Sequence, residues 1–238
     1  MIGVTLASPA MLTLATEAIR RFRDMTGLPS VMICPPDDRG AHMWKLRIPE
    51  LVPHGPICYY DADWWMIRPA DPRKLLHPGT FTAVKDVGVW NRQTFAFQDT
   101  ATLGIERDLY FNSGFFVCDT REPRILDAFA RAQELSRTTR VADFGEQSWL
   151  NAGVQDKALL WLVGNEWNTG PWAWQAGLDK SPCVQPIGLH AFGVPHADQK
   201  LQYLLAGERL LSNRHVPDLS TYNARHFPVA RAACGPPA

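Results

Sequence analysis

The first 34 residues contain a strand, a helix and a second strand, and this order restricts the fold more than any other feature of the chain. A strand is predicted at 2–6, a helix from about residue 8 to Asp24, and a second strand at 30–34. Strands joined through a helix run parallel in one sheet, whereas antiparallel neighbours need only a short hairpin. The sequence therefore predicts an α/β domain and favours a parallel sheet.

The rest of the chain continues this alternation. A long stretch at 86–109 lacks clear periodicity and is expected to be irregular, which in a compact domain indicates a functional or mobile segment. The other predicted elements are a partly helical segment at 43–51, strands at 57–60, 81–84, 114–118, 158–163 and 184–190, and helices at 122–136 and 144–152.

Length, charge and cysteine usage limit the class of protein. The 238 residues suffice for one catalytic domain, expected at 1–228, with a flexible tail at 229–238. Basic and acidic residues both number 24, so the formal net charge of zero does not indicate a nucleic-acid partner. The five cysteines lack CxxC spacing, which argues against a disulfide framework or a zinc site. Since neither a membrane span nor a signal peptide is recognisable, a cytoplasmic location is predicted.

Two carboxylates, Asp61 and Asp63, directly follow the apolar run at 56–60. Side chains at i and i+2 of an extended chain point to the same side, so the pair would present two oxygen ligands together. Such ligands suit Mg²⁺ or Mn²⁺, which commonly bind substrate phosphates as well. A solvated turn or helix cap is the alternative, but a carboxylate that closes a buried strand needs a partner. We interpret the pair as a metal site at the carboxyl end of a strand.

Four segments carry a further pattern in a fixed order. They are Lys45 to Asp63 with the carboxylate pair at its end, Tyr110-Phe111-Asn112-Ser113-Gly114, Glu146-Gln147-Ser148-Trp149-Leu150-Asn151, and Trp167-Asn168 followed by Leu189-His190-Ala191-Phe192-Gly193. This ordered set resembles the blocks of family 8 glycosyltransferases, which are retaining enzymes of the GT-A fold with nucleotide-sugar donors. The resemblance implies a single Rossmann-like α/β domain with a mixed, mostly parallel central sheet flanked by helices. The resemblance covers most of the chain and identifies it as a distant member.

The resemblance implies a role for each matching residue. Asp61, Asp63 and His190 would hold Mn²⁺, or Mg²⁺, across the diphosphate of the donor; a mixed histidine and carboxylate site suits Mn²⁺ better. Without its block, His190 would be interpreted as a satisfied histidine at a strand end. Gln147 would lie beneath the anomeric carbon, and Asp86 and Asn112 would bind the donor sugar. Further donor contacts would come from Thr5, Ala7, Lys45, Tyr60, Ala62, Ser113, Gly193 and His196.

Several positions depart from the family pattern. The family usually has lysine three residues after the glycine of the histidine block, to hold phosphate; this chain has His196 there and Lys200 further on. Ser148 replaces the second acid of the Asp-Gln-Asp block. The segment from Thr5 to Ala7 lacks the acid that often lies beside the nucleobase, so uridine recognition is implied by the family alone.

The resemblance implies transfer of a sugar from a nucleotide-sugar, in the first place a UDP-sugar, to an acceptor hydroxyl with retention. A retaining enzyme can form a covalent intermediate or transfer on one face. Gln147 is a poor nucleophile, so we favour same-face transfer, with the donor phosphate taking the proton of the acceptor. Trp167, Trp172 and Trp174 are candidates for an acceptor platform, because tryptophan stacks on sugar rings; burial in the core would explain them equally well.

Two other functions stay open. A phosphatase of the haloacid dehalogenase type also begins with Asp-x-Asp after an apolar strand, but it requires Thr or Val soon after the second Asp, where this chain has Trp64 and Trp65. A non-catalytic protein that binds sugar or nucleotide through a decayed transferase site is the second alternative, and His196 and Ser148 favour it.

Overall fold

The computed structural model describes residues 1–36, 40–86, 94–141, 145–156, 158–170, 186–192, 194 and 196–212, with the backbone alone for 94–98 and 210–212. The strands are β1 (Ile2–Leu6), β2 (Ser30–Ile33), β3 (Pro56–Tyr60), β4 (Trp64–Met66), β5 (Phe81–Lys85), β6 (Phe111–Asp119), β7 (Leu160–Val163) and β8 (Gly188–His190). The α-helices are α1 (Leu12–Thr26), α2 (Ile48–Leu51), α3 (Thr94–Leu103), α4 (Pro123–Thr138), α5 (Gly145–Gly153) and α6 (Ala197–Ser212). Short 3₁₀ helices lie at Pro9–Met11, Ala41–Arg47, Pro72–Leu75, Arg107–Leu109 and Asn165–Trp167.

Six strands form the central sheet in the order β2-β1-β3-β6-β5-β7. The pairs β1/β2, β1/β3 and β5/β7 are parallel, whereas β6 is antiparallel to both of its neighbours. Only β6 therefore runs against the common direction of the sheet. The predicted mixed, mostly parallel sheet is confirmed.

Local sequence signals account for the first helix. Pro9 opens a 3₁₀ turn that leads into α1, and Gly27 ends the helix in a left-handed conformation with φ of 69°. Glycine adopts this conformation without the strain that a Cβ atom would cause. The apolar positions Leu14, Ala18 and Phe22 are buried on one side of α1, as the period of an amphipathic helix requires.

The sheet separates two hydrophobic layers. Tyr59 and Tyr60 are consecutive on β3 and fully buried, and they lie in different layers because side chains alternate along a strand. Residues of α4 and α5 complete the layer of Tyr59, whereas residues of α1, α6 and the paired strands β4 and β8 complete the layer of Tyr60. The arrangement is the helix-flanked α/β architecture that the alternation predicts.

The prediction that 86–109 is irregular is wrong for its second half. α3 occupies Thr94–Leu103, and a 3₁₀ helix follows at Arg107–Leu109. The apolar residues of α3 do not form a stripe along one face of the helix, so the sequence has no helical period that would predict it. The predicted late strand at 184–190 is present as Gly188–His190, and residues 171–185 lie outside the described part of the chain.

Among the described helices, none has both the length and the apolar character that crossing a bilayer requires. Three cysteines, at 34, 58 and 118, lie in the described part, and all of them are free thiols. The predicted tail at 229–238 is outside the described residues, and its flexibility stays a prediction.

Candidate metal centre

The reversed direction of β6 brings predicted site residues to one edge of the sheet. Asp61 and Asp86 directly follow β3 and β5, while Asn112 is the second residue of β6. The start of β6 lies beside the ends of its two neighbours, as the pairing of Tyr60 with Phe115 and the backbone hydrogen bond from Asp86 to Tyr110 show. Ligands bind at this carboxyl edge in α/β proteins.

A bulge interrupts the pairing of β6 with β5 near the same edge of the sheet. The partners of Ala83 and Val84 on β6 are Phe116 and Asn112, so the residues 113–115 between them have no partner on β5. Bulges of this kind interrupt pairing and re-aim side chains, and they are common beside active sites. The bulge holds Ser113 and Gly114, and the Gly114 carbonyl accepts a 2.9 Å hydrogen bond from the Asp61 amide.

A two-stranded sheet joins the late histidine to the carboxylate pair. Strands β4 and β8 are antiparallel, with Trp64 opposite His190. The Ala191 amide donates to the Asp63 carbonyl over 3.0 Å, and the His190 amide donates to the Thr169 carbonyl over 2.9 Å. His190 is therefore fixed beside Asp63 by backbone bonds, although 127 positions separate them in the sequence.

Three potential metal ligands converge at this point. The Nε2 atom of His190 lies 3.3 Å from Asp63 Oδ1 and 3.6 Å from Asp61 Oδ2, and within the described chain these three residues are the group whose ligand atoms lie within 4.8 Å of one another. Neighbouring ligands of an octahedral ion with bonds of ~2.1 Å are about 3 Å apart. The spacing and the mixed oxygen and nitrogen donors fit a divalent cation.

The remaining oxygen of each carboxylate is held by other side chains. Asp61 Oδ1 accepts a 2.6 Å hydrogen bond from the Tyr59 hydroxyl and lies 3.0 Å from Lys45 Nζ. The ammonium group of Lys200 contacts Asp63 Oδ2 and donates to the Ala191 carbonyl over 3.0 Å. Burial alone would raise the pKa of Asp63, but Lys200 and His190 outweigh it and lower that pKa below its ordinary value. Asp63 is thus an ionised, pre-oriented ligand.

Lys45 is a buried cation between two acids. Its ammonium group lies 3.0 Å from both Asp61 Oδ1 and Glu146 Oε1, and it donates to Ser113 Oγ over 3.0 Å. Burial lowers the pKa of Lys45, but the charges of Asp61 and Glu146 more than compensate, so the net effect raises it above the ordinary value. Lys45 is therefore charged, and it links the metal ligand Asp61 to helix α5.

The predicted sugar-binding residues form one hydrogen-bonded group next to this centre. Gln147 accepts from the Ser113 amide over 3.0 Å through Oε1 and donates to Asp86 Oδ2 over 2.9 Å through Nε2. Asn112 donates to the same Asp86 oxygen over 3.2 Å. Asn168 continues the group, since it donates to Asn112 over 2.9 Å and lies 2.9 Å from His190 Nδ1. A continuous network thus connects Gln147 to the metal ligand His190.

A carboxylate from α3 lies where the predicted second acid of the Asp-Gln-Asp block is missing. Ser148 Oγ donates to Asp99 Oδ2 over 2.7 Å and lies 2.8 Å from the Tyr110 hydroxyl. Because that serine proton is directed to Asp99, Tyr110 is the donor in the second bond, and its oxygen lies 3.4 Å from the Gln147 amide nitrogen. Asp99 is therefore a buried acid that is connected to Gln147 through two hydroxyl groups.

A cavity of about 300 Å³ is lined by two of the candidate metal ligands, Asp61 and Asp63. Its polar lining contains three carboxylates, Asp61, Asp63 and Glu146, and two ammonium groups, Lys45 and Lys200. The rest of the lining is Leu6, Ser8, Met11, Ala41, His42, Tyr59 and Ala62. Its volume is at the lower end of the range for ligand sites.

A larger surface groove of about 760 Å³ runs along α1 between Thr16 and Pro29. Its Arg20 already pairs with Glu17 and Asp24, and the groove contains none of the residues that the sequence singles out. We place the candidate site at the smaller cavity, because Asp61 and Asp63 line it and His190 lies beside them.

Some predicted donor contacts differ from their expected positions. The Tyr60 side chain stacks on Phe22 and donates to Ser30 in the core, so it is the neighbouring Tyr59 whose hydroxyl reaches the metal centre. His196 is exposed and is not among the lining residues, whereas Lys200, one helical turn further on, lines the cavity together with Lys45. The donor contacts of Tyr60 and His196 stay predictions.

Other predicted residues lie beside the cavity or in the core. Ala62 lines the cavity, whereas Thr5 and Ala7 are buried next to its lining residues Leu6 and Ser8. Trp167 is buried and stacks on Phe115 with ring centres 5.5 Å apart, which is not the accessible ring face that a sugar platform needs. Gly193, Trp172 and Trp174 lie outside the described residues.

Sequence reasoning missed four residues of the site: Tyr59, Asp99, Asn168 as a partner of His190, and Lys200. Lys200 had a usable signal, because residues four apart lie on one face of a helix and position 200 is one turn beyond position 196. Asn168 belongs to the Trp167-Asn168 block, but the block does not indicate that its side chain contacts His190. Asp99 had no signal, since only the packing of α3 brings it to Ser148.

Comparisons with known proteins identify the architecture. No family model and no curated protein matches the chain by sequence. Among solved structures, the galactosyltransferase LgtC in complex with donor and acceptor sugar analogs aligns with 87% of this chain and 95% of its own, with a TM-score of 0.62 and 15% identity. The bifunctional glycosyltransferase WbbM aligns with 90% of this chain and 51% of its own, with a TM-score of 0.67 and 14% identity. The glycosyltransferase GlyE of Streptococcus pneumoniae aligns with 99% of this chain and 64% of its own, with a TM-score of 0.59 and 14% identity.

The chain spans nearly all of LgtC but about half of WbbM and two thirds of GlyE. At these identities the likeness shows the fold. The predicted GT-A architecture, and with it the distant resemblance to glycosyltransferases of this fold, is confirmed.

Proposed function

We propose that this protein is a metal-dependent glycosyltransferase that moves a sugar from a nucleotide-sugar, in the first place a UDP-sugar, to an acceptor hydroxyl with retention. One observation carries the proposal. Asp61, Asp63 and His190 converge at the carboxyl edge of a GT-A sheet, and the two carboxylates line a cavity that two lysines also line. This is the arrangement expected for binding a diphosphate through a divalent cation.

The charges in the cavity favour a metal-bridged ligand. Three carboxylates and two ammonium groups line it, so the protein alone presents an excess of negative charge to an incoming diphosphate. Two ligands from Asp61 and Asp63 and one from His190 would hold Mn²⁺ or Mg²⁺ there. When bound, this ion supplies a Lewis acid for the charge that develops as the nucleoside diphosphate leaves.

Lys200 would take the phosphate-binding position that the sequence predicts at residue 196. It lines the cavity from α6, where its ammonium group contacts Asp63. An ammonium group beside a leaving diphosphate stabilises the same developing charge. The anchoring of α6 supports this role, because Glu208 on this helix forms a two-point ion pair with the buried Arg21 of α1.

Gln147, Asp86 and Asn112 would bind the donor sugar. Both polar atoms of the Gln147 amide are already held, Oε1 by the Ser113 amide and Nε2 by Asp86. A carboxamide fixed in this way orients its dipole at the anomeric centre without acting as a nucleophile. We therefore retain same-face transfer, in which the donor phosphate takes the proton of the acceptor. A covalent adduct at Gln147 or Asp86, trapped with a slow donor, would contradict this step.

The two alternatives are less well supported. The three solved structures compared above are glycosyltransferases, which weighs against a phosphatase of the haloacid dehalogenase type. Against a decayed binding protein stands the observation that all three candidate metal ligands, Asp61, Asp63 and His190, are present and converge.

Ligand-linked stability tests the site. Thermal unfolding is followed with UDP alone, Mn²⁺ alone, both together, and Mn²⁺ with a simple phosphate ester. We expect the shift in melting temperature with Mn²⁺ and UDP together to exceed the sum of the two separate shifts, because the diphosphate would bind through the cation. A ligand at 100 times its Kd stabilises the folded state by ~2.7 kcal/mol. Asp63→Asn removes the effect, whereas Asp24→Asn on the exposed end of α1 retains it. Equal protection by the phosphate ester would favour the phosphatase.

A further inference from the structure

The hydrogen-bonded path from Gly114 to His190 fixes which atoms donate and which accept. The Gly114 backbone amide donates to Asn112 Oδ1 over 2.9 Å. A backbone amide can only donate, so the Asn112 atom that faces it is the carbonyl oxygen. Asn112 then directs its NH₂ group to Asp86, which accepts it over 3.2 Å.

The same reasoning orients Asn168. The Asn168 group 2.9 Å from Asn112 Oδ1 must be its NH₂ group, because two carbonyl oxygens would repel each other. The carbonyl oxygen of Asn168 therefore faces His190 Nδ1 at 2.9 Å. Because this oxygen can only accept, the proton of the bond belongs to Nδ1.

The two ring nitrogens of His190 face different partners. Nε2 lies 3.6 and 3.3 Å from the Asp61 and Asp63 carboxylates, at the position that a cation would share with them. His190 reaches this position only through the lone pair of Nε2. Nδ1 faces Asn168, whose carbonyl oxygen accepts the Nδ1 proton. The His190 ring is 2% exposed, so water does not compete for these bonds.

We propose that Asn168 is a positioning residue for the metal site: its side-chain carbonyl holds the proton of His190 on Nδ1 and so keeps Nε2 available as a ligand. This inference rests on the metal site of the proposed function, but it does not depend on the identity of the donor. Partners of this kind orient metal-binding histidines in many proteins, and their loss costs about 10- to 100-fold in metal affinity.

Two substitutions separate this role from a structural one. Asn168→Leu and Asn168→Asp both remove the hydrogen bond to Asn112, and they differ in whether an acceptor faces His190. With ¹⁵N-histidine in the metal-free chain, at a pH where ordinary histidines are neutral, nitrogen NMR reports the protonation of each ring nitrogen. We expect Nδ1 to carry the proton in the wild type and in Asn168→Asp, and to lose it in Asn168→Leu, where Nε2 carries the proton instead. His190→Gln assigns the signal.

Mn²⁺ affinity, measured by electron paramagnetic resonance without nucleotide, gives the second readout. Asn168→Leu should weaken binding about 10- to 100-fold. Asn168→Asp loses the donor to Asn112 Oδ1 but keeps an acceptor at Nδ1, so it should bind more tightly than Asn168→Leu. A wild-type His190 without a proton on Nδ1, or equal losses in both variants, would overturn the proposal. If Asn168→Leu does not fold, the wild-type spectrum and Asn168→Asp still decide it. Normal Mn²⁺ binding without any nucleotide binding would leave this inference intact and contradict the transferase.

Discussion

At the scale of single residues, the short sequence blocks indicated side chains that the fold brings together. Asp61, Asp63 and His190 converge, and Gln147 belongs to the hydrogen-bonded network that reaches His190. Their roles toward a metal or a sugar stay predictions. We propose that Lys200 and Asp99 replace the groups expected at 196 and 148, and a group supplied from another position of the chain is not visible in the block itself.

The variant Lys200→Ala tests whether Lys200 replaces the phosphate-binding group expected at residue 196, and it should change the affinities for Mn²⁺ and for UDP in different ways. Removing an ammonium group that contacts Asp63 leaves Mn²⁺ binding equal or tighter, because like charges no longer oppose each other. Binding of UDP in the presence of Mn²⁺ should weaken about 10-fold or more, since a hydrogen bond to a charged group contributes roughly 1.5–3 kcal/mol. Isothermal titration calorimetry measures both quantities. The exposed Lys74→Ala is the control, and unchanged UDP affinity in Lys200→Ala would contradict the assignment.

Exchanging Ser148 and Asp99 tests whether Asp99 replaces the acid expected at residue 148. Ser148→Asp alone places a second carboxylate against Asp99, where the present oxygens are 2.7 Å apart, and should cost about 2 kcal/mol or more because one buried charge lacks a partner. The double variant Ser148→Asp with Asp99→Ser restores one acid and one hydroxyl. We expect it to recover at least half of the loss in urea unfolding. Additive losses in the double variant would show that Asp99 and Ser148 do not act as a pair.

At the scale of elements, strand direction and pairing assemble the site. The order of strands near the N-terminus and the apolar run before Asp61 were sufficient to predict the sheet and the edge at which Asp61 lies. The sequence did not indicate that residues 113–115 bulge from the pairing of β6 with β5, because register depends on contacts between strands. It also gave no sign of α3, whose residues lack a helical stripe.

Gly114 shows how tightly the bulge approaches the metal centre. A Cβ atom at this position would lie 2.7 Å from His190 Nδ1 and 2.9 Å from Asn112 Oδ1, so Gly114→Ala must displace the imidazole. We expect Mn²⁺ affinity to fall more than 10-fold, with a folding cost of ~1–3 kcal/mol from overpacking. Gly207→Ala is the control, because its added methyl meets the terminal methyl of Leu189 at 2.8 Å. Retained Mn²⁺ affinity in Gly114→Ala would show that the bulge does not confine His190.

At the scale of the whole molecule, the fold concentrates charge that composition conceals. The formal net charge is zero, yet acids and lysines from the loop after β3, from α5, from α6 and from the 3₁₀ helix at Ala41–Arg47 meet in one cavity. Composition could limit the class of partner, but it could not show that segments far apart in the sequence bring Asp61, Asp63 and His190 together.

The central claim is metal-dependent transfer from a nucleotide-sugar, and donor turnover tests it most directly. The wild-type chain, His190→Ala and Lys74→Ala are incubated with a panel of nucleotide-sugars, with Mn²⁺ or with EDTA, and nucleoside diphosphate release is measured. We expect the wild type and Lys74→Ala to cleave at least one donor, most directly a UDP-sugar, with Mn²⁺ and not with EDTA. His190→Ala should cleave the same donor more than 10-fold more slowly. A panel in which no donor is cleaved and none shifts the melting temperature, or full Mn²⁺-dependent activity of His190→Ala, would contradict the account.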